Sequence, residues 1–188
     1  MESALAEWAG VQKDDLPALI IMNFTDDMYK YKYEGDVRAA TVDDMRDFIY
    51  DFERGKLEKY VKGEEAPKDN TDELTEVVTS TFNDIVMDSP NDVFIKFYAP
   101  WCGHCQDLAP IWLKLAEILE VVPDLTIAEI DSTENEIEEL DITGYPTLLL
   151  FKNGDKEKPI EYEGERSLSK LLQFLKENSS AYQRYLAK

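Results

Sequence analysis

Residues 93–120 read VFIKFYAPWCGHCQDLAPIWLKLAEILE, and the fold turns on this stretch. Its first part, VFIKFYA, is a nearly continuous apolar run, the pattern of a strand buried on both faces. Its second part sets Leu108, Ile111, Trp112, Leu115, Ile118 and Leu119 on one stripe at helical spacing, so a helix is expected over residues 102–121. Pro110 falls inside that helix, where it removes a hydrogen bond and should bend the chain.

Working outward, LTEVV (74–78) reads as a strand and STFNDIVMD (80–88) as a short helix with a Ser/Thr start and an acid in its first turn. Downstream come a strand LTIAEID (125–131), an acidic helix TENEIEELDI (133–142) and a strand PTLLLF (146–151). KNGDK (152–156) carries the Asn-Gly signal of a hairpin into the strand PIEYEG (159–164). A last helix opens at Ser167 and turns Leu168, Leu171, Leu172 and Leu175 inward. The order β-α-β-α-β-α-β-β-α predicts an α/β domain whose central mixed sheet carries helices on both faces.

Residues 1–62 hold less. LPALIIMNF (16–24) and MYKYKYE (28–34) read as strands, and TVDDMRDFIYDFERGKL (41–57) as a capped amphipathic helix. This β-β-α run matches the second half of the later unit, with Leu16-Pro17 in the place of Tyr145-Pro146. The polar, proline-bearing stretch KGEEAPKDNTDE is the linker candidate. The expected division is therefore an incomplete half-domain at 1–62, a linker at 63–73, a complete domain at 74–180 and a tail at 181–188. Three elements cannot cover both faces of a sheet, so the chain reads as a piece of a longer multidomain protein.

The chain has 188 residues, 44% of them hydrophobic, and 20 Lys and Arg against 40 Asp and Glu, a formal charge of -20. Such a surface repels phosphate backbones and anionic lipid, which argues against nucleic-acid and membrane partners. The start MESALAEWAG has neither a basic leader nor a long apolar stretch, so no export signal is expected there.

Both cysteines of the chain, Cys102 and Cys105, lie in one CGHC motif. A disulfide framework would scatter four or more cysteines. Bridging so short a loop removes little entropy from the unfolded chain, so the pair is chemical in purpose. Cys102 falls where the strand ends and the helix begins; unpaired amides and the helix dipole there favour a thiolate, which is the nucleophile. Cys105, one turn further in, is the resolving thiol. His104 adds a second positive influence on the thiolate, and Gly103 keeps the turn compact.

YAPWCGHC, the following LAP, and then DSTEN, GYPT, FKNGD and YEGERSL resemble the C-terminal catalytic thioredoxin-type domain of the protein disulfide isomerase family. The resemblance covers roughly residues 74–178, and the half-domain before it is similar to the end of that family's non-catalytic substrate-binding domain. It implies a thioredoxin-like fold and thiol-disulfide exchange on unfolded or disulfide-containing proteins. No cofactor is implied beyond a redox-active Cys102-Cys105 disulfide, with an upstream oxidase or glutathione as redox partner and the endoplasmic reticulum lumen as compartment. It further implies a cis Tyr145-Pro146 peptide facing the cysteines, a substrate-binding role for Trp101, Tyr145 and Pro146, and an Arg166 that reaches toward the buried cysteine.

One departure stands out. The family usually carries a buried glutamate on the strand before the motif and a lysine on the neighbouring strand, whereas this chain has Lys96 in VFIKFY and Glu129 in IAEID. Each charge would be costly alone in an apolar strand, so the two are expected to pair beneath Cys105 and relay its proton.

Three other readings compete. A metal site at Cys102, His104 and Cys105 fails on ligand count, and Gln106 after the second cysteine excludes a haem attachment motif. A cytosolic reductase keeps the fold and differs in redox potential. A non-enzymatic chaperone module would use the upstream aromatics Trp8, Phe24, Tyr29, Tyr31 and Tyr33.

Overall fold

The computed structural model describes residues 6, 9–11, 16–24, 29–138 and 140–188, which leaves Trp8 outside the described residues. The chain divides into two compact units, Met1–Lys62 and Gly63–Lys188.

In the first unit, β1 (Ile20–Met22) and β2 (Lys30–Lys32) pair antiparallel with Ile21 opposite Tyr31. They are much shorter than the runs 16–24 and 28–34 that the alternation suggests. Helix α1 (Val42–Glu53) starts at Thr41, where a reciprocal cap satisfies two amides: Asp44 N–H donates to Thr41 Oγ1 at 3.2 Å, and Thr41 N–H to Asp44 Oδ2 at 2.7 Å. Phe48 is the buried residue of this helix and meets the Tyr33 ring edge-on. Leu16-Pro17, ahead of β1, is a cis peptide.

The second unit is built on a five-stranded sheet of β3 (Thr75–Glu76), β4 (Asp92–Tyr98), β5 (Leu125–Asp131), β6 (Thr147–Lys152) and β7 (Asp155–Glu161), in the order β3-β5-β4-β6-β7. β4 is central, parallel to β5 and antiparallel to β6. Its side chains alternate between two cores. Phe94 faces helix α2 (Gly103–Leu119) and helix α3 (Leu168–Asn178), among Trp112, Leu115, Leu171 and Leu175. Val93, Ile95 and Phe97 face the other way, onto Phe82, Val86 and Phe151. Trp112 is fully buried and donates its indole N–H to the Ala128 carbonyl at 3.0 Å. Full burial of a large apolar side chain contributes about 1.5–3 kcal/mol, so this layer dominates the unit's stability.

Four expectations need correction. Residues 80–88 form a 3-10 turn (Thr79–Thr81) followed by a π turn (Asn83–Met87), not an α-helix. Described residues 133–142 form no helix. There Asp131 Oδ1 accepts the Thr133 N–H and hydroxyl, while buried Asn135 accepts from the Glu64 and Thr79 amides and donates to the Asp131 carbonyl. Side chains take the bonds that a helical ladder would need. Ile118, assigned to the buried stripe of α2, is exposed, and Ala116 lies inward with Leu119.

The fourth correction concerns 181–188, expected as a tail. A helix α4 (Ser180–Leu186) occupies most of it, capped by Ser179 through the Tyr182 amide. Buried Asp92, at the start of β4, holds the junction: Oδ2 accepts from Ser179 Oγ at 2.8 Å and Ala181 N–H at 3.0 Å, and Oδ1 accepts from Asn153 N–H at 2.8 Å. The Asn153-Gly154 turn joins β6 to β7, with Gly154 at φ 85°, where glycine carries no steric cost. Among the described residues no helix is long and apolar enough to cross a membrane.

Candidate active site

The central strand β4 delivers the chain to Tyr98, and Cys102 caps the helix that returns beneath it. Cys102 is half-buried, and its carbonyl accepts the amides of Cys105 and Gln106 at 3.0 Å each. Its Sγ donates to the Tyr145 carbonyl at 3.5 Å. Cys105 is buried at 3% exposure, and both cysteines are free thiols. Tyr145-Pro146 is a cis peptide, so the residue whose carbonyl meets the thiol precedes a cis proline.

The two thiols are driven apart. Cys102 is held below the ordinary thiol pKa, first by a hydrogen bond from the Cys105 thiol; burial opposes this, and the Cys105 and His104 backbone amides and the Arg166 charge assist it. Cys105 is pushed up to about 11, chiefly by burial, then by donating a hydrogen bond to Cys102, with the Ala99 backbone and the Lys96 charge working against both. One sulfur is an accessible anion in waiting, and the other holds its proton.

His104 is exposed, and it acts on Cys102 through its backbone N–H. Gly103 opens α2, and a Cβ added there would meet nothing within 4 Å, so sterics do not require glycine. Trp101 projects into solvent with its ring edge-on to Tyr145, centroids 6.1 Å apart. Arg166 donates from Nη2 to the Pro146 carbonyl at 3.3 Å and is felt at Cys102, whereas the resemblance sends it to Cys105.

Lys96 and Glu129 stand opposite each other in the parallel register of β4 and β5, and Lys96 Nζ lies 2.6 Å from Glu129 Oε2. By strand alternation Lys96 shares the face of Phe94 and Glu129 that of Ile127, the face covered by α2. The lysine side chain is 3% exposed and the glutamate 25%, so the pair runs from the interior toward solvent.

Sequence reading passed over Tyr98, although it opens the YAPWCGHC motif. Its phenol is pushed up to about 12 by burial and by Glu129, Asp131, Glu76 and Glu64, and Lys96 Nζ sits 5.0 Å from its ring centre. Tyr145 is also raised, by burial, Asp131 and Cys105. Among the described residues no group of three or more His, Cys, Asp and Glu gathers as metal ligands do.

The thioredoxin family model matches residues 73–177. The chain is 42% identical over 150 residues to a protein disulfide-isomerase of Aspergillus oryzae, covering 80% of this chain and 28% of that protein. It is 37% identical over 172 residues to one of Oryctolagus cuniculus, covering 91% and 33%. The chain thus spans about a third of the length of the curated relatives it matches. Among solved structures, the J-Trx1 fragment of ERdj5 superposes with a TM-score of 0.50 at 28% identity, over 56% of this chain and 51% of that one. Human ERp44 form I gives 0.50 at 29%, over 57% and 29%.

Proposed function

Because the chain belongs to the thioredoxin family by its match over residues 73–177, we propose that it is a thiol-disulfide oxidoreductase and isomerase acting on disulfides of protein substrates. The observation that carries this reading is the opposed pair of thiols: Cys102 lowered and accessible, Cys105 buried and raised to about 11.

The Cys102 thiolate attacks a substrate disulfide: a Cys102-substrate S–S bond forms, the substrate S–S bond breaks, and the departing thiolate takes a proton. Cys105 then loses its proton and attacks Cys102 Sγ, releasing the second substrate thiolate and leaving a Cys102-Cys105 disulfide. Two electrons have passed from enzyme to substrate, and no cofactor is invoked. The reverse sequence oxidises a substrate dithiol. Attack on the mixed disulfide by another substrate thiol rearranges the bonds with no net transfer.

Substrate backbone pairs with the edge beside Pro146, and Trp101 and Tyr145 supply the aromatic surface around the attacked sulfur. His104 and Gly103 shape the first turn, and Arg166 assists the Cys102 thiolate. Resolution needs an acceptor for the Cys105 proton, and Glu129, paired with Lys96 on the face of α2, is the group assigned to it. Residues 1–62 are the second half of a non-catalytic thioredoxin-like domain, 63–73 a linker, and the unit from 74 the catalytic domain. The compartment assigned is the endoplasmic reticulum lumen, with an oxidase or glutathione restoring the redox state.

Insulin reduction and refolding of a scrambled disulfide protein test the reading. Activity in both is expected, with loss of both in Cys102→Ser; exchange that survives this substitution refutes it. Glu129→Gln is expected to slow release of the mixed disulfide about a hundredfold at pH 7, the scale of general-base catalysis. An unchanged release rate removes Glu129 from the relay.

A further inference from the structure

We propose that Glu64, in the stretch that leaves the first unit, is a positioning residue for the thiol site: clasped to buried Asn135, it seats the turn at 131–135 against Tyr145, whose carbonyl meets Cys102. The proposal rests on the reading of the substrate as a polypeptide disulfide and gives a role to a residue which that reading leaves unused.

Glu64 and Asn135 belong to the same compact unit, Gly63–Lys188, although they lie 71 residues apart in sequence. The Glu64 N–H donates to Asn135 Oδ1 at 3.1 Å, and Asn135 Nδ2 donates back to Glu64 Oε2 at 2.7 Å. Asn135 is 3% exposed, and its amide is fully used: the oxygen also accepts the Thr79 N–H at 3.0 Å, and the second N–H goes to the Asp131 carbonyl at 3.1 Å. The seating is close, since a Cβ added at Gly63 would lie 2.6 Å from Thr79 Cβ. Glu64 itself is exposed, so its carboxylate is held at the surface by a buried partner, and removing it strands a buried N–H.

From Asn135 the path to the sulfur is short. In the same turn the Ser132 N–H donates to the Tyr98 carbonyl at 2.9 Å, at the end of the strand that runs into the motif. The Ser132 hydroxyl meets the Tyr145 phenol. Tyr145 in turn carries the carbonyl that accepts from Cys102 Sγ at 3.5 Å and the ring that Trp101 meets edge-on. This chain of contacts reaches the side of the site assigned to the substrate. The influences that lower Cys102 come from elsewhere, from Cys105, His104 and Arg166. Loosening the clasp therefore lowers the fraction of molecules with Tyr145 in place and weakens capture of a polypeptide in proportion, while Cys102 stays as nucleophilic as before.

The test compares two rates on the reduced full-length protein at one pH. The first is exchange with a peptide disulfide, in which a Cys102-peptide S–S bond forms and the other peptide thiolate leaves and is protonated. The second is alkylation of Cys102 by iodoacetamide, in which an S–C bond forms, iodide leaves and no polypeptide is bound. Glu64→Ala is expected to slow exchange about threefold to tenfold, the worth of one net hydrogen bond, with alkylation unchanged. Glu64→Gln, which keeps an oxygen for Asn135 Nδ2, should exchange at close to the parent rate. Glu65→Ala removes the same charge one residue away and should change neither rate. In an Asn135→Asp background, where a carboxylate replaces the donor, Glu64→Ala should cost nothing further. Unchanged exchange in Glu64→Ala overturns the proposal, as does an equal fall in both rates, a Glu64→Gln rate as low as that of Glu64→Ala, a loss in Glu65→Ala, or a second full loss in the Asn135→Asp background. If the parent protein alkylates and does not exchange, the dithiol reading itself fails and this one with it.

Discussion

Residues 16–53 and 145–178 build the same motif twice, with different surroundings. Each opens on a cis X-Pro peptide, Leu16-Pro17 or Tyr145-Pro146, and continues through an antiparallel hairpin to a helix. Each carries Tyr-Glu-Gly after the hairpin, at 33–35 and 162–164. In each, an arginine donates to a carbonyl of the cis dipeptide: Arg38 to Leu16 at 2.5 Å and Arg166 to Pro146 at 3.3 Å. Each helix sets a phenylalanine edge-on to that tyrosine, Phe48 on Tyr33 at 5.5 Å and Phe174 on Tyr162 at 5.0 Å.

The helix faces then diverge. Counting from the caps Thr41 and Ser167, Met45 and Ile49 of α1 occupy the places of Leu171 and Leu175 of α3. The leucines are 0% exposed in the core that holds Trp112, while Met45 and Ile49 are 37% and 49% exposed, and Val42 is 75% exposed. One local code gives one local structure in both places, and among the described residues the helix packed against that face, α2, belongs to the second copy. Local signals specify the motif; tertiary burial supplies its stability.

The largest expected effect separates these faces. Leu175→Ala should destabilise the second unit by about 2–5 kcal/mol, whereas Ile49→Ala should cost about 0.5 kcal/mol or less, read from denaturant midpoints of each unit. Equal losses would break the parallel by showing α1 to be as well covered as α3.

Next come the caps, where the ranking reverses. Thr41 makes the reciprocal bonds to Asp44, and Ser167 makes no side-chain bond to its helix amides. Thr41→Ala should therefore cost about 1 kcal/mol and Ser167→Ala only a few tenths, by the same midpoints.

The smallest effect distinguishes the arginines. Arg166 is the last and weakest of the influences that lower Cys102. Arg166→Gln should raise the midpoint of Cys102 alkylation with pH, by the smallest of the effects considered, and Arg38→Gln should leave it unmoved. In sign, a thiolate made less favourable needs a higher pH to form, so the variant reacts more slowly below the midpoint and equally above it. Cys105 should stay unmodified until the pH approaches about 11. Identical curves for both variants would remove Arg166 from the site.

Most of the second unit was legible in the sequence because its signals were local and redundant: the apolar run of β4, the α2 stripe, the Asn-Gly turn. The thiol order followed from a strand running into a helix start, and the Lys96 pairing from the cost of isolated charge. What escaped was non-local. TENEIEELDI has helical composition, yet Asn135 is claimed by Glu64 and Thr79, far away in sequence. The setting of Tyr98 depends on which carboxylates the sheet gathers around it, which no spacing announces. His104 is exposed, and what is felt at Cys102 is its backbone N–H, a contribution that any residue at that place in the first helical turn could make.

Asp92 bears on how the domain opens. One carboxylate ties the first residue of the central strand to a hairpin turn and to the start of the final helix. Turns and helix starts ordinarily fray first and lose amide protons to solvent early. Here the Asn153 and Ala181 amides are bonded to the strand that leads to the thiols, so their exchange is slaved to its release. The far pole of the domain therefore breathes with the core, and the segment after the sheet is part of the cooperative unit.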